Sequence, residues 1–490
     1  MHGQPQEQAH GQPTHGAPAP HPLAPDWLSP ITDSAGLEHH LLPADAHRDD
    51  DGVLTVGGVD VASLAEEHGT PLYVLSESDF RARARAFREA FGRAFAPETE
   101  VDVFYAGKAF LSTQVVAWAV EEGLCVDTST GGELAVALAG GADPARLGLH
   151  GNNKSDDEIR RALDAGIGRI IADSLDELER IETIAEQMRT RAPVMLRLTP
   201  GVHASTHEYI ATAHEDQKFG LSMARDSGPS VAERAAAAAL DSEHIDLRGL
   251  HCHIGSQIFE PTGFEVAARR LIELVADIRR DHGVELAELD LGGGHGIAYT
   301  EADDPRRPED IAEALAATVK TACAEADLRV PRISIEPGRA IVGPAGFTLY
   351  RVGVQKDVGV DAPDGSTATR RYVAVDGGMS DNARGVLYGA DYSAVLAGRK
   401  VVGDHRLSRI VGKHCESGDI VVRDVYLPAA TVRGDLLAVP ATGAYCHSLA
   451  SNYNWLPRPA VVAVAEGAAR TLIRRETEDE MLSRDTGWTA

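Results

Sequence analysis

The sequence predicts an α/β protein: a (β/α)8 TIM-type barrel joined to a second, mostly β domain of sandwich or barrel-like form. Three observations carry that expectation. Between residues 80 and 340, short apolar runs alternate with helix-length amphipathic stretches. Polar or glycine-rich segments follow those runs one after another. Beyond residue 343 the texture changes to strands separated by Gly and Pro turns.

Residues 1–50 are expected to form a disordered or irregular tail. Up to Pro25 the chain is rich in Gln, Pro, His and Gly, and it holds too little apolar surface to offset its ordering entropy. Residues 51–79 carry strands at 53–56 and 72–75, which are expected to join the β domain. The barrel is assigned to 80–342, with strands at 101–105, 124–127, 147–149, 169–172, 194–198, 247–252, 289–291 and 333–335. Helical patterns at 112–122, 132–139, 156–165, 175–189 and 264–280 lie between them. An open, doubly wound sheet shares this alternation, and spacing alone does not separate the two. Residues 200–245 read as a long insertion after the fifth strand. The C-terminal β domain is assigned to 343–490, with strands at 347–354, 371–376, 420–425, 436–439 and 461–464.

Composition narrows the function. The 490-residue chain has a net charge of −27, which argues against nucleic-acid backbones, because these need clustered Lys and Arg. No stretch approaches the roughly 20 apolar residues of a membrane span. The N-terminus lacks the basic-then-apolar pattern of a signal peptide. Five scattered cysteines (Cys125, Cys252, Cys323, Cys415, Cys446) suggest reduced thiols in a cytoplasmic protein. Only seven of the 47 basic residues are lysines. Lysine alone can lose its proton and act as an amine nucleophile, so one in a glycine-rich setting stands out.

The reactive residues fall in one place. Lys108 follows the first strand, Asp127 ends the second, and His150-Gly151-Asn152-Asn153 follows the third. Asp173 follows the fourth, Arg197 ends the fifth, and His253 with Ser256 follows the sixth. Gly292-Gly293-Gly294 follows the seventh and Glu336-Pro337-Gly338-Arg339 the eighth. All lie at carboxyl ends, the face that carries active sites in such barrels. The glycine triplet lets backbone N–H groups approach a phosphate, with Ser256 adding a hydroxyl; the alternative is a tight turn needing positive φ. It is not a G-x-G-x-x-G fingerprint, so no dinucleotide is expected. Lys108 can form a Schiff base with an aldehyde, or it can pair with Asp127 or another rim carboxylate. Glu336, held rigidly beside Pro337, can pair with a protonated pyridine nitrogen. Phosphate cradle, amine and carboxylate are what pyridoxal phosphate requires. His251 and His253 look like an H-x-H metal pair but lack a clear third ligand, so no metal is expected, and a histidine stacked on a planar cofactor fits better.

On these residues the chain resembles the fold-type III pyridoxal-phosphate-dependent amino-acid decarboxylases, and among them the branch acting on diaminopimelate, over residues 50–480. The shared motifs include Tyr105-Ala106-Gly107-Lys108, Cys125-Val126-Asp127-Thr128-Ser129, His150-Gly151-Asn152-Asn153-Lys154-Ser155 and His251-Cys252-His253-Ile254-Gly255-Ser256-Gln257. Further along are Gly292-Gly293-Gly294, Glu336-Pro337-Gly338-Arg339, Ser380-Asp381-Asn382, Cys415-Glu416-Ser417-Gly418-Asp419 and Gly443-Ala444-Tyr445.

The resemblance implies that Lys108 carries pyridoxal 5'-phosphate, that His253 stacks on its ring, and that Glu336 meets its pyridine nitrogen. It places Ser256, Gly294, the loop from Glu336 to Arg339 and Tyr445 around the cofactor. It implies a homodimer with shared sites, Cys415 and Glu416 reaching the other subunit's site. Arg339, Arg384 and Tyr388 match positions that hold the distal end of the substrate, with Glu416 and Tyr445 as further contacts. A thiol retains its proton at neutral pH, which suits Cys415 to deliver one to a carbanion. The family pattern after the Arg384 position often has proline where this chain has Gly385, which is expected to loosen that loop. The implied activity is decarboxylation of meso-2,6-diaminopimelate to L-lysine and CO2, the last step of lysine biosynthesis. Decarboxylation of arginine, ornithine or carboxynorspermidine is the neighbouring reading. A non-catalytic regulatory relative and a metal-dependent barrel hydrolase are the readings from other classes.

Overall fold

The structure, a computed structural model, describes residues 21–30, 37, 40–201, 217–225 and 227–489. The disorder expected up to Pro25 falls mainly on residues 1–20, outside the described residues. Strands β1 (His47–Arg48), β2 (Leu54–Val56) and β3 (Val59–Asp60) form a small antiparallel sheet. Strand β4 (Leu72–Ser76) is buried throughout and enters the large β sheet described below. Leu54 and Val56 stay outside that sheet but pack on it, in one apolar cluster with Leu72, Val74, Phe347 and Val462.

The barrel strands follow: β5 (Val101–Ala106), β6 (Cys125–Thr128), β7 (Leu147–Leu149), β8 (Arg169–Ala172) and β9 (Ala192–Thr199). Then come β10 (Leu221–Ser222), β11 (Ile245–Cys252), β12 (Glu288–Asp290) and β13 (Arg332–Ile335). All pairings are parallel, and β8 pairs with β9 while β13 pairs with β5, so the sheet closes on itself. Closure decides for the barrel over the open sheet. Short β10 continues the rim beside the end of β9. The stretch read as a long insertion is therefore partly regular structure: besides β10 it holds the helix Val231–Asp241, whose inward face is all alanine. Alanine gives almost no apolar contrast, which hides the helical period.

Helix starts are well specified. Ser112, Thr130, Ser155, Ser174 and Ser230 each accept a backbone N–H from the residue three positions on, and Glu158 and Glu233 reciprocate to their cap residues. Alternation along the strands sends a polar layer into the lower barrel. There Arg169 lies 2.8 Å from Glu288, donates to the Ser334 hydroxyl at 2.9 Å, and covers the Phe104 ring at 4.4 Å. A buried guanidinium is tolerated only with such partners.

After the barrel come β14 (Gly346–Asp361), β15 (Thr367–Val375), β16 (Val395–Leu396), β17 (His405–Val411), β18 (Ile420–Pro428), β19 (Leu436–Pro440), β20 (Ala460–Ala465) and β21 (Ala468–Ile473). With β4 they form a mostly antiparallel sheet in the order β18-β17-β15-β14-β4-β20-β21, with β19 and β16 beside the first half of β14. The loop after β19 returns to the barrel rim, where the Tyr445 N–H bonds to the Ala109 carbonyl at 2.8 Å. That contact brings a residue of the β region to the barrel's reactive face.

Candidate active site

Two cavities of about 530 and about 910 Å³ open on the carboxyl ends of the barrel strands and share Ala106, Lys108, Phe219, His253 and Glu336 in their walls. Their size is that of small-molecule sites. Lys108 sits in the turn Gly107–Ala109 after β5, and its side chain is exposed to both cavities rather than enclosed.

Glu336 follows β13 and is buried. Its Oε1 lies 3.0 Å from His251 Nε2 and 3.3 Å from His150 Nε2, and His150 Nε2 is also 3.1 Å from Asp127 Oδ1. Burial raises the Glu336 carboxyl above the ordinary range and pushes Asp127 up to about 7. The same burial pushes His150 and His251 down to about 3, so two neutral imidazoles flank one carboxylate. Ligand atoms of His150, His251 and Glu336 all lie within 4.8 Å of one another, a spacing three ligands of one ion could adopt. Of the H-x-H pair only His251 belongs to this cluster, beside His150 and Glu336, while His253 stands apart. An ion there would engage the same carboxylate that lines both cavities.

His253 is half-buried and accepts the Gly293 N–H at Nδ1, 3.3 Å away. Burial, and then the nearby Lys108 ammonium, depress its pKa well below the imidazole norm. Asp127 and Arg197 line the smaller cavity, where Arg197 lies 3.8 Å from Asp173 and covers the Phe219 ring at 4.3 Å.

The glycine triplet proves to be a close-approach device as well as a rim element. The Gly292 N–H is taken by Asp290 Oδ1 at 2.8 Å, and a Cβ on Gly293 would collide with the Glu336 carbonyl. Only Gly294, at φ +111°, faces the larger cavity; Gly292, Gly293 and Pro337 line neither. Ser256, Gly338, Arg339 and Tyr445 complete that wall. Arg339 donates to the Ser256 hydroxyl at 2.7 Å and lies over the Tyr445 ring at 4.7 Å. Gln257 and Tyr445 hold φ of +61° and +63°, a left-handed conformation uncommon for non-glycine residues.

The far end of the larger cavity is built by Arg384 and Tyr388, at the two ends of the helix Arg384–Tyr388. Tyr388 is exposed, whereas Arg384 is buried and donates to the Tyr392 hydroxyl at 2.7 Å. Beside Gly385, Arg384 is held by its aromatic neighbours Tyr392 and Tyr299. Among the described residues no carboxylate lies within 4.0 Å of either Arg339 or Arg384. Tyr299, Tyr392 and Phe219 were not legible as site residues, because nothing local marks them. Cys415 and Glu416, in the loop between β17 and β18, are exposed and line neither cavity.

A phosphorylated pyridine aldehyde fits this donor set. Among the described residues an amine stands without a hydrogen-bond or ion-pair partner at the cavity wall, a buried carboxylate has an Oε1 with no well-oriented hydrogen bond, and Gly294, Ser256 and Tyr445 surround the adjoining space.

Comparison with known proteins agrees. Residues 77–343 match the family described as pyridoxal-dependent decarboxylase, pyridoxal binding domain. Diaminopimelate decarboxylase of Mycobacterium tuberculosis is 49% identical over 451 residues, covering 91% of this chain and 98% of the relative. The Bacillus subtilis enzyme of that name is 44% identical over 434 residues, covering 89% and 95%. Among solved structures, diaminopimelate decarboxylase from M. jannaschii in complex with L-lysine aligns with a TM-score of 0.82 at 31% identity, covering 90% of this chain and 98% of that one. The buried carboxylate, the cavity-lining amine and this likeness along nearly the whole chain converge: the protein belongs to the pyridoxal-dependent decarboxylases, in the diaminopimelate decarboxylase branch.

Proposed function

We propose that the protein releases CO2 from meso-2,6-diaminopimelate to give L-lysine, with pyridoxal phosphate as cofactor. The observation that carries the choice of substrate is the pair Arg339 and Arg384, which face the cavity of Lys108 and Glu336 without a carboxylate partner among the described residues. A substrate with a second carboxylate satisfies both, whereas one ending in a bare amine, such as ornithine, leaves them unpaired.

The cofactor, when bound, supplies a ring that accepts the electron pair left by departing CO2. Lys108 would hold it through the side-chain amine and yield that place to the substrate's amine. Glu336 would keep a proton at the ring nitrogen, and His253 would cover one ring face. Asp127 and Arg197 would line the ring's other approaches, while Ser256, Gly294, Gly338 and Tyr445 would hold the phosphate. Arg339, Arg384 and Tyr388 would bind the distal amino-acid centre. Cys415 would return a proton to the reacting carbon, and Glu416 would take the distal ammonium. Because both are exposed and line neither cavity of their own chain, they would serve a second copy, in a homodimer working in the cytoplasm.

The test is CO2 release across diaminopimelate, arginine, ornithine and carboxynorspermidine, with the visible spectrum recorded alongside. Diaminopimelate is expected to dominate, and preference for a substrate without a distal carboxylate sinks the assignment. Lys108→Ala is expected to abolish the borohydride-reducible absorbance.

A further inference from the structure

Arg339 and Arg384 come from distant parts of the chain, yet both rest on Tyr299. Tyr299 is 6% exposed and reaches the larger cavity from the segment after the glycine triplet. Its hydroxyl accepts a hydrogen bond from Arg339 Nη1 at 2.5 Å, and its ring lies under the Arg384 guanidinium, 4.5 Å from centroid to carbon. The ring is itself fixed edge-on by Tyr392, with centroids 5.1 Å apart and planes at 78°. Tyr392 also accepts from Arg384, and Arg339's second bond goes to Ser256.

Two like charges facing one half-dry cavity repel, and a neutral phenol is suited to hold them together. Its oxygen accepts from one guanidinium while the electron-rich ring face attracts the other. Phenylalanine would keep only the second contact, and leucine neither.

We propose that Tyr299 is the positioning residue for substrate choice: it sets the spacing of Arg339 and Arg384, and that spacing selects a ligand whose far end carries a carboxylate. The inference rests on the decarboxylase reading above. It predicts which ligands feel the loss. L-Lysine retains the carboxylate and amine of the spared centre, whereas 1,5-diaminopentane has the same chain and no carboxylate.

Calorimetric titration of the wild-type holoenzyme, Tyr299→Phe and Tyr299→Leu with both ligands tests this. Tyr299→Phe is expected to weaken L-lysine about tenfold, the loss of one hydrogen bond to a charged group, and Tyr299→Leu to weaken it further. Binding of 1,5-diaminopentane and the cofactor's visible spectrum are expected to stay as in the wild type. In Tyr299→Phe the KM for diaminopimelate rises while kcat holds, because the lost interaction orients the ligand in ground and transition states alike. Unchanged L-lysine binding in Tyr299→Phe, or equal weakening of both ligands, overturns the proposal. Should the leucine variant fail to fold, the phenylalanine variant, smaller by one oxygen, decides alone. Absence of CO2 release from diaminopimelate by the wild type is the separate result that removes the underlying reading.

Discussion

His251 Nε2 lies 3.0 Å from Glu336 Oε1, with both side chains buried at the carboxyl ends of β11 and β13. Burial drives the histidine neutral and the carboxyl upward, and the Lys108 and Arg197 charges offset that rise for Glu336 only in part. Its proton affinity becomes a measurable property of the site.

The pH dependence follows in sign. A raised pKa means that Glu336 takes up its proton at a higher pH than an ordinary glutamate as the solution is acidified. Once neutral, it can no longer hold a positive ring nitrogen. Activity is therefore expected to fall on the acidic side, with an acidic limb in kcat/KM set by Glu336; the positive ring nitrogen beside it favours the carboxylate and pulls that limb below the position burial alone would give. Glu336→Gln should lose about a hundredfold or more in kcat and lose that limb with it. A pH–rate profile of both proteins checks this.

Lys154 is a different kind of lysine from Lys108. It is 2% exposed and donates to the Gly151 and Ile171 carbonyls at 2.7 and 2.6 Å and to Glu177 at 2.9 Å. Lys154→Met strands Glu177 as a buried charge and is expected to cost about 3–5 kcal/mol of stability. Adding Glu177→Gln should recover part of the loss. Urea unfolding of the single and double variants measures both.

Gly293 carries a steric prediction. A methyl group there meets the Glu336 carbonyl oxygen, so the loops after β12 and β13 must part. Gly293→Ala is expected to cost about 1–3 kcal/mol, as overpacking does, and to loosen cofactor binding by displacing Glu336. Thermal unfolding with and without pyridoxal phosphate separates the two effects: the stabilisation by cofactor shrinks along with the midpoint.

The proposal that Cys415 serves the site of a second copy predicts the outcome of a mixing experiment. Lys108→Ala and Cys415→Ala are each expected to be inactive as pure proteins. Unfolded and refolded together, they should regain activity, because a mixed pair holds one site with both residues intact. Recovery nowhere above the parents would place Cys415 outside a shared site.

Much of the fold was legible locally. The eight barrel strands stand out because a parallel strand is covered on both faces and reads as an unbroken apolar run, as in Ile170-Ile171-Ala172 or Val103-Phe104-Tyr105. The rim residues were legible for a related reason: Lys108, Asp127, His253 and Glu336 each lie at or within a few positions of the end of such a run. The helix at residues 231–241 was missed because its buried positions are alanines. Cys415 and Glu416 were visible only through resemblance, since no periodicity marks an exposed loop.

By itself the sequence determined the class of the barrel-strand segments and the chemistry available at the rim, because strand burial and residue type are local properties, while the alanine-faced helix at 231–241 escaped it. Tertiary structure alone decided that β8 meets β9 and β13 meets β5, that β4 pairs between β14 and β20 within the β sheet it was expected to join, and that His150 and His251 converge on Glu336. It also decided that Arg339 and Arg384 share Tyr299, which lies 40 and 85 positions before them. These are contacts between residues far apart in the chain, whose partners are chosen by closure of the barrel and by packing against the β sheet, and no local pattern encodes that choice.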